Sequence, residues 1–505
     1  MRILFVHPPH TGFDRAPVPK LTYSIPRIPP LSGITLASYV REHGHDVAVI
    51  DGQRISIQHG NDRAHTYQEI ARQARKFNPD AVAITILTAD VPEATRTLRL
   101  LRSISPNATI VGGGPHPSGE PIHTLKQMPE LDAIGIGPGE EICLDLANGK
   151  PVSETSGCAF LNDKEIVLPS VRRRTTTDID SFPFPAWDLI DGKFYSELNH
   201  ATTFGVLTRS LGVVTSRGCP GHCYFCSSEW NRPLRMHSVQ YVLDLCEYLL
   251  NRYPIDTIAF WDDTLGMDRR RLERICEGIL ARGLHRRMKW RAMLRADQIE
   301  FGLLKLMKDA NCFCISFGVE SGNGRILKLL NKRVTVDQNL AAAEAVKRAG
   351  LLLGISVMLG VPTETEEEMM DTINFCKQVE CDYIGVGRFC PLPGSPSYVD
   401  LVKQRRIDPA TVDWEQLGNF TLLEGPCFAN IDPRRFRKIL YDFNDYCNAH
   451  YRVGLVRNNA ERFPDIVRLC VHGESAGMRN VKKLVPIRLR RIMKGIMNLE
   501  WSHTG

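Results

Sequence analysis

Short apolar runs alternate with amphipathic stretches along most of this chain, and the alternation occurs in two blocks. In the first block, to about residue 145, "RILFVH", "DVAVID", "DAVAITIL", "ATIVGGG" and "DAIGIG" read as strands. Between them "SGITLASYVREHG", "TYQEIARQARKF" and "VPEATRTLRLLRSI" place apolar residues three and four apart, the spacing of one helix face. Strand–helix alternation predicts a parallel sheet wrapped by helices, with ligands beyond the carboxyl ends of the strands. Those ends carry Pro8 and Pro9, the stretch through Leu87 and Thr88, "GGGPHPS" and "GIGPGEE". The second block runs from about 205 to 395, with strand candidates "GVVTS", "TIAFWDD", "KWRAML", "FCISFGVES", "GISVMLGVP" and "YIGVGRF". Its clearest helices are "QYVLDLCEYLLNRY" and "NLAAAEAVKRAG". Six such units predict an incomplete parallel barrel, active at the same end of its strands.

The pattern divides the chain into four parts. Residues 1–148 form the first α/β domain. Residues 149–204 form a connector with a hairpin turning at Asn162–Asp163 and a proline-ordered strap, "FPFPAWDLI". Residues 205–398 form the partial (β/α)6 barrel, and 399–505 a smaller, mainly helical region. A chain of 505 residues is long enough for several cores. No repeat shorter than a domain and no low-complexity segment interrupts it.

Composition changes this picture little. Hydrophobic residues make up 43% and charged residues 24%, as in ordinary globular proteins. No apolar run is long enough to span a bilayer, and "MRILFVHPPH" reads as a buried strand instead of a signal peptide. Fifteen cysteines in such a chain predict thiols and metal ligands in a reducing cytoplasm. The net charge of +6 is confined to the tail, where Met478–Gly505 holds seven Lys or Arg against one acid. A global basic field, and with it nucleic-acid binding, is not expected. Within the tail, Val485, Leu489, Ile492, Met493 and Ile496 oppose Arg488, Arg490, Arg491 and Lys494, and Pro486 starts a basic amphipathic helix. Such a helix packs on its own domain or lies on an anionic membrane surface.

The chemistry concentrates in "SRGCPGHCYFCSS", where Cys219, Cys223 and Cys226 are spaced C-x3-C-x2-C directly after the first barrel strand. Three thiolates on a four-iron cube leave one iron open to a substrate or cofactor, as a catalytic zinc keeps one position free. The alternative is a zinc knuckle completed by His222 or a distant cysteine.

Further motifs follow in order, and together they resemble the radical S-adenosylmethionine (SAM) superfamily. The resemblance covers about 205–395. It implies a 4Fe-4S cluster on the three cysteines, with Phe225 beside the adenine and Asp262 or Asp263 in "FWDDTL" holding the methionine ammonium. Arg295 in "KWRAMLRAD" and Glu320 and Ser321 in "GVESGN" become candidates for the cofactor's carboxylate and ribose. Gly360, Val361 and Pro362 in "LGVPTET" form the backbone beside the adenine. The family pattern has glycine where Thr363 stands, so that contact is expected to be altered. An external low-potential electron donor of flavodoxin or ferredoxin type is also implied.

The first domain resembles the Rossmann-like cobalamin-binding domain often fused to this barrel. "VGGGPHPS" and "GIGPGEE" are similar to its third and fourth ligand loops, which gives Gly113, Gly114, Pro115, His116, Gly137, Pro138, Gly139 and Glu140 as cobalamin contacts. Pro8, Pro9, Leu87 and Thr88 join them from the earlier strand ends. No G-x-G-x-x-G follows the first strand, which argues against a dinucleotide. D-x-H-x-x-G is also missing: no Asp stands two residues before His10, and His59 does not fit the spacing. Cobalt is therefore expected to have no histidine ligand from this domain.

The combination implies a cobalamin-dependent radical SAM methyltransferase acting on an unactivated carbon of a small natural product or lipid-like molecule. In that scheme one SAM methylates cob(I)alamin and a second yields the radical that activates the substrate. The rivals are a cyclisation or rearrangement with the same cofactors, as in anaerobic porphyrin-ring cyclases, and a non-catalytic iron–sulfur and corrinoid binding protein. Arg291, Arg295 and Arg388 are candidates for an anionic substrate group at the barrel mouth. Cys390 reads as a buried thiol.

Overall fold

The computed structural model describes residues 1–10, 27–163, 165–169, 178–198, 205–227, 233–419 and 424–459. The basic helix expected in the tail lies outside these residues.

The first sheet contains β1 (Arg2–His7), β2 (Asp46–Asp51), β3 (Ala81–Thr85), β4 (Thr109–Gly113), β5 (Ala133–Gly135), β6 (Cys158–Asn162) and β7 (Glu165–Val167), in the order β2-β1-β3-β4-β5-β6-β7. Strands β1 to β5 run parallel, and β6 and β7 add an antiparallel edge. The hairpin read from the sequence as part of a connector thus extends the first sheet to Val167. Its pairing of Ile134 with Ala159 could not be inferred from local pattern.

Burial explains the unbroken apolar runs. Ile3 and Phe5 pack with Ala37, Val40 and Leu146 on one face, while Leu4 and Val6 pack with Ile70, Ala74 and Leu98 on the other. A strand covered on both faces cannot alternate with polar residues. The helix after β1 and the helix after β3 lie on opposite faces, so the chain reverses direction between these strands and opens a crevice at their carboxyl ends. A short helix over Gly52–Gln58, unmarked by the apolar spacing, starts there because Asp51 Oδ1 accepts from the Arg54 N–H at 3.0 Å.

The second sheet contains β8 (Ser210–Val213), β11 (Thr257–Phe260), β12 (Lys289–Leu294), β13 (Cys312–Glu320), β14 (Leu352–Leu359) and β15 (Tyr383–Arg388). All six are parallel, in the order β15-β14-β13-β12-β11-β8. The end strands do not pair, which makes it a partial barrel. A two-residue ribbon, β9 (Ser216–Arg217) with β10 (Arg235–Met236), brackets the cysteine loop.

The remainder is helical and returns to both sheets. The helix Pro433–Arg457 packs on β15. The helix Trp414–Gly418 packs on the turn after β3, and Trp414 Nε1 donates to Gln127 Oε1 at 2.9 Å. Arg388 does not face the barrel mouth. It is buried, and its guanidinium donates to the carbonyls of Phe389, Pro426, Gln416 and Asn419. It clamps the C-terminal segment to β15. Cys390 beside it is half-buried, and burial pushes its thiol up to about 11.

Candidate active site

The cysteine loop leaves the barrel at the carboxyl end of β8. Gly218 takes φ 88° and Gly221 lies against the sulfurs: a Cβ there would stand 3.3 Å from Cys219 Sγ and 3.9 Å from Cys223 Sγ. The two sulfurs therefore face one small space, and glycine keeps it open. All three cysteines are half-buried, and the described cysteines are reduced. The loop is fixed from below, where the Tyr224 N–H donates to Leu330 O at 2.9 Å and Asn331 Nδ2 donates to His222 O at 2.7 Å.

The strand ends converge on this loop. Arg295 pairs with Asp297 through two bonds of 3.0 and 3.1 Å and donates to Lys332 O at 2.8 Å. Burial opposes its charge, but Asp297 and the neighbouring Cys223 thiol outweigh it and raise the pKa. Asp262 is buried, and its Oδ1 accepts from Thr215 N at 3.1 Å, Thr215 Oγ1 at 2.9 Å and Ser216 Oγ at 2.5 Å. It holds the strand end that launches the cysteine loop. Its burial raises its pKa against those bonds. Asp263 is the accessible member of the pair. Glu320 stands at a bulge with φ 64° and forms an ion pair of 2.7 Å with Lys332. Ser321 is fully buried and shares its hydroxyl with Thr372 at 3.0 Å and the Asn323 N–H at 3.1 Å. Phe225 is partly buried against the core that holds Ile326, Leu330 and Val361.

At the end of β14 the N–H groups of Gly360 and Val361 both donate to Glu364 Oε2, at 2.7 and 3.0 Å. Sequence reasoning did not single out Glu364. Its signal was a carboxylate four residues after a strand-end glycine. Burial pushes its pKa up to about 7, against the two backbone bonds that lower it. A raised carboxyl pKa means that the folded state holds the proton more tightly than the unfolded chain. Stability therefore falls as pH rises from about 4.5 to about 7. Glu364→Gln keeps an acceptor for both N–H groups and is expected to flatten that decline, which is worth up to about 3 kcal/mol. Thermal unfolding of both proteins between pH 4.5 and 8 measures it.

Thr363 occupies the position where the family pattern has glycine and adopts a left-handed conformation, φ 68°. Arg325 donates to its carbonyl at 3.0 Å, which helps to hold it there. A β-branched residue in the left-handed region is strained, so Thr363→Gly is expected to stabilise the protein by about 1 kcal/mol after the entropy of the added glycine is deducted. The check is a rise in Tm.

A cavity of about 460 Å³ lies between the two sheets, within the size range of small-ligand sites. Leu87, Gly113, Gly114, Pro115, Gly137, Pro138, Gly139 and Glu140 line it, together with Ser32, Gly33 and Thr35 of the first helix. Pro8, Pro9, Thr88 and His116 do not. The two prolines are buried at the end of β1, Thr88 lies under Gly418, and His116 packs edge-on against Trp414. Both ring nitrogens of His116 are buried without a partner among the described residues, and burial lowers its pKa to about 3. The strap residues Phe182, Pro183 and Trp187 close the cavity, and Val213, Val214 and Arg217 of the barrel complete it. Arg217 forms an ion pair with Glu140, which joins the fourth ligand loop to the strand leading into the cysteines. Sequence reasoning identified the strap and the "SRGC" stretch but not their meeting across the two sheets.

The cavity fits a corrinoid's nucleotide tail. Gly114, at φ 103°, would bring a Cβ to 3.0 Å from the Ile86 carbonyl, so the path of this lining loop requires glycine. Glu140 Oε2 is buried with no partner among the described residues, an acceptor ready for an amide donor. His10, at the end of β1, places Nδ1 2.7 and 2.8 Å from the Asp90 carboxylate oxygens. Burial alone would lower its pKa, but Asp90 raises it.

Comparison with known proteins agrees with this geometry. Residues 213–376 match the model of the Radical SAM superfamily, and residues 26–147 match that of the B12 binding domain. An uncharacterized methyltransferase of Pyrococcus horikoshii is 33% identical over 77% of this chain and 81% of its own length. The anaerobic magnesium-protoporphyrin IX monomethyl ester cyclase of Cereibacter sphaeroides is 28% identical over 81% of this chain and 64% of its own. Among solved structures, the cobalamin-dependent SAM radical enzyme OxsB, with aqua-cobalamin and SAM bound, superposes with a TM-score of 0.66 at 18% identity. The match covers 99% of this chain and 81% of that one and shows a shared fold.

Proposed function

Because the chain belongs to the cobalamin-binding branch of the radical SAM superfamily, we propose that it transfers a methyl group from SAM, by way of cobalamin, to an unactivated carbon of a small molecule. The observation that carries this reading is the cavity between the sheets. First-domain loops and the strand leading into the cysteines form one wall, joined by Glu140 and Arg217. A corrinoid seated there would stand beside the cluster loop, which a relay between the two requires.

Bound together, the cluster, SAM and cobalamin supply radical generation and a methyl carrier. The protein's part is to hold and orient them. Cys219, Cys223 and Cys226 would carry the cluster and leave one iron open, with Arg295 beside Cys223 to balance thiolate charge. Asp263 is the carboxylate available to an ammonium group, while Asp262 fixes the strand end behind it. Glu364 holds the Gly360–Val361 backbone in place for the adenine. Phe182, Trp187 and the glycine loops would exclude water from the corrinoid tail. A flavodoxin- or ferredoxin-type donor would supply the electron.

Anaerobic protein supplied with iron, sulfide and hydroxocobalamin tests the reading. About four irons and one cobalt per chain are expected, together with S-adenosylhomocysteine formation in the presence of substrate. The Co(II) EPR spectrum is expected to lack imidazole-nitrogen coupling, since Asp90 already engages His10 and His116 is buried under Trp414. The 28% identity to a cyclase favours ring formation as the second reading. Full cofactor loading with product formation but no S-adenosylhomocysteine would select it.

A further inference from the structure

Two links join the cysteine loop to the first domain. At the loop's entry Arg217, two residues before Cys219, forms an ion pair with Glu140 of the fourth ligand loop. Further along, the Tyr224 carbonyl, next to Cys223, accepts from the Ser397 N–H at 2.9 Å. Ser397 belongs to the helix Pro396–Lys403, which follows the last barrel strand, and Asp400 of that helix lies beside the Tyr224 phenol. The next residue, Tyr398, donates its phenol O–H to Glu120 Oε2 at 2.6 Å. Glu120 directly follows the helix Pro115–Gly119, which continues the third ligand loop. One short helix thus connects the wall of the corrinoid cavity with the cysteine loop.

The connecting helix is stiff at both contacts. Ser395, Ser397 and Tyr398 are buried. Ser395 Oγ accepts from the Tyr398 N–H at 3.1 Å and lies 2.9 Å from the Ser397 hydroxyl, which closes the first turn. On the other side, His123 Nδ1 lies 2.8 Å from Glu120 Oε1, so the Tyr398 phenol meets a carboxylate that is itself fixed. The chain leading into the helix approaches the third ligand loop as closely as glycine permits. A Cβ on Gly119 would stand 2.4 Å from the Pro393 carbonyl, where ordinary contact begins at 3.4 Å.

We propose that Tyr398 and Glu120 are positioning residues, which together with the Glu140–Arg217 pair set the separation and orientation of cluster and cobalt. The inference rests on the corrinoid occupying the cavity between the sheets. Neither residue lines that cavity. They act through the third ligand loop on one side and the cysteine loop on the other. The Glu140–Arg217 pair alone would let the cysteine loop swing about a single point of attachment. A second attachment, on a different ligand loop, removes that freedom. A misplacement of about 1 Å between reacting groups costs on the order of 100-fold in rate, and a mount with two fixed points supplies that precision.

EPR tests this on holoprotein loaded with iron, sulfide, hydroxocobalamin and SAM, then reduced so that Co(II) and the cluster are both paramagnetic. The dipolar coupling between the two spins falls as the cube of their separation, and reading it needs no substrate. Wild-type protein is expected to show one narrow coupling. Tyr398→Phe keeps the ring against Trp414 but removes the O–H, and should broaden the coupling about twofold. Gly119→Ala should weaken the mean coupling, since the Pro393 carbonyl must retreat by about 1 Å to reach ordinary contact. Glu120→Gln keeps an acceptor for the phenol and should stay close to wild type. Tyr67→Phe is the comparison. It removes a like phenol–carboxylate bond, 2.6 Å to Glu93, inside the first domain. It should lower Tm as much as Tyr398→Phe does while leaving the coupling unchanged. Iron and cobalt contents should stay at the wild-type level throughout. Should Gly119→Ala fail to fold, Tyr398→Phe carries the test. A wild-type coupling in both Tyr398→Phe and Gly119→Ala, or equal broadening in Tyr67→Phe, overturns the proposal. Wild-type protein that holds iron but no cobalt overturns the corrinoid reading and the proposal with it, and metal analysis tells that failure apart from the others.

Discussion

Cys223→Ala is expected to abolish the cluster while leaving cobalamin binding intact. Iron should fall from about four to below about one per chain, the charge-transfer absorption should vanish, and SAM cleavage should drop below detection. Cys219 and Cys223 face one space kept open by Gly221, and two remaining thiolates cannot hold a cube that already has one open corner. The cavity assigned to the corrinoid tail is walled by the first-domain loops, the strap and β8, none of which contains Cys223. Cobalt content should therefore stay near one per chain. Cys276→Ala is the control. It is equally a cysteine, but buried in the helix Arg269–Ala281, and it should cost stability without loss of iron. Retained iron in Cys223→Ala would mean that another side chain, such as His222, completes the site.

The reciprocal result is expected from Gly114→Val. Gly114 has φ 103° and ψ −174°, a conformation essentially restricted to glycine, and a Cβ there would meet the Ile86 carbonyl at 3.0 Å and the Ile86 nitrogen at 3.2 Å. Strain of about 1–3 kcal/mol would be relieved by swinging the third ligand loop, whose Gly113 and Pro115 line the same cavity. Bound cobalt should fall at least tenfold while iron and SAM cleavage persist. Gly114→Ala should show the same effect in weaker form. Normal cobalt binding by the valine variant would place the corrinoid outside this cavity. Together the two variants separate the cofactors, one site at a time.

Much of this arrangement was legible in the sequence, because its elements announce themselves locally. Strands buried on both faces are unbroken apolar runs, so β1 to β5 and the barrel strands stood out, and three cysteines in eight residues need no tertiary information. What was illegible depended on partners distant in the chain. Arg388 reads like any strand-end arginine until the Pro426 and Asn419 carbonyls arrive to accept its hydrogen bonds. Asp262 and Asp263 are adjacent and chemically equal in sequence; only the approach of Thr215 and Ser216 makes one a strut and leaves the other accessible. Glu364 gained its role from a tight turn that brings its carboxylate back to Gly360, and Thr363 supplies the φ of 68° on which that turn depends. The family pattern has glycine at that position, and Thr363 adopts the left-handed conformation that glycine would take there.

The helix Trp414–Gly418 has a consequence for how the chain is made. Trp414 and Leu417 share one buried cluster with Leu98 and Leu101 of the first domain, yet about 300 residues separate them, and synthesis at roughly 5–20 residues per second takes about 15–60 s to cover that distance. For that interval the nascent first sheet has emerged from the ribosome with part of its apolar surface uncovered. Throughout it, that apolar patch is open to association with other exposed apolar surfaces, until the chain's own C-terminal region closes over it.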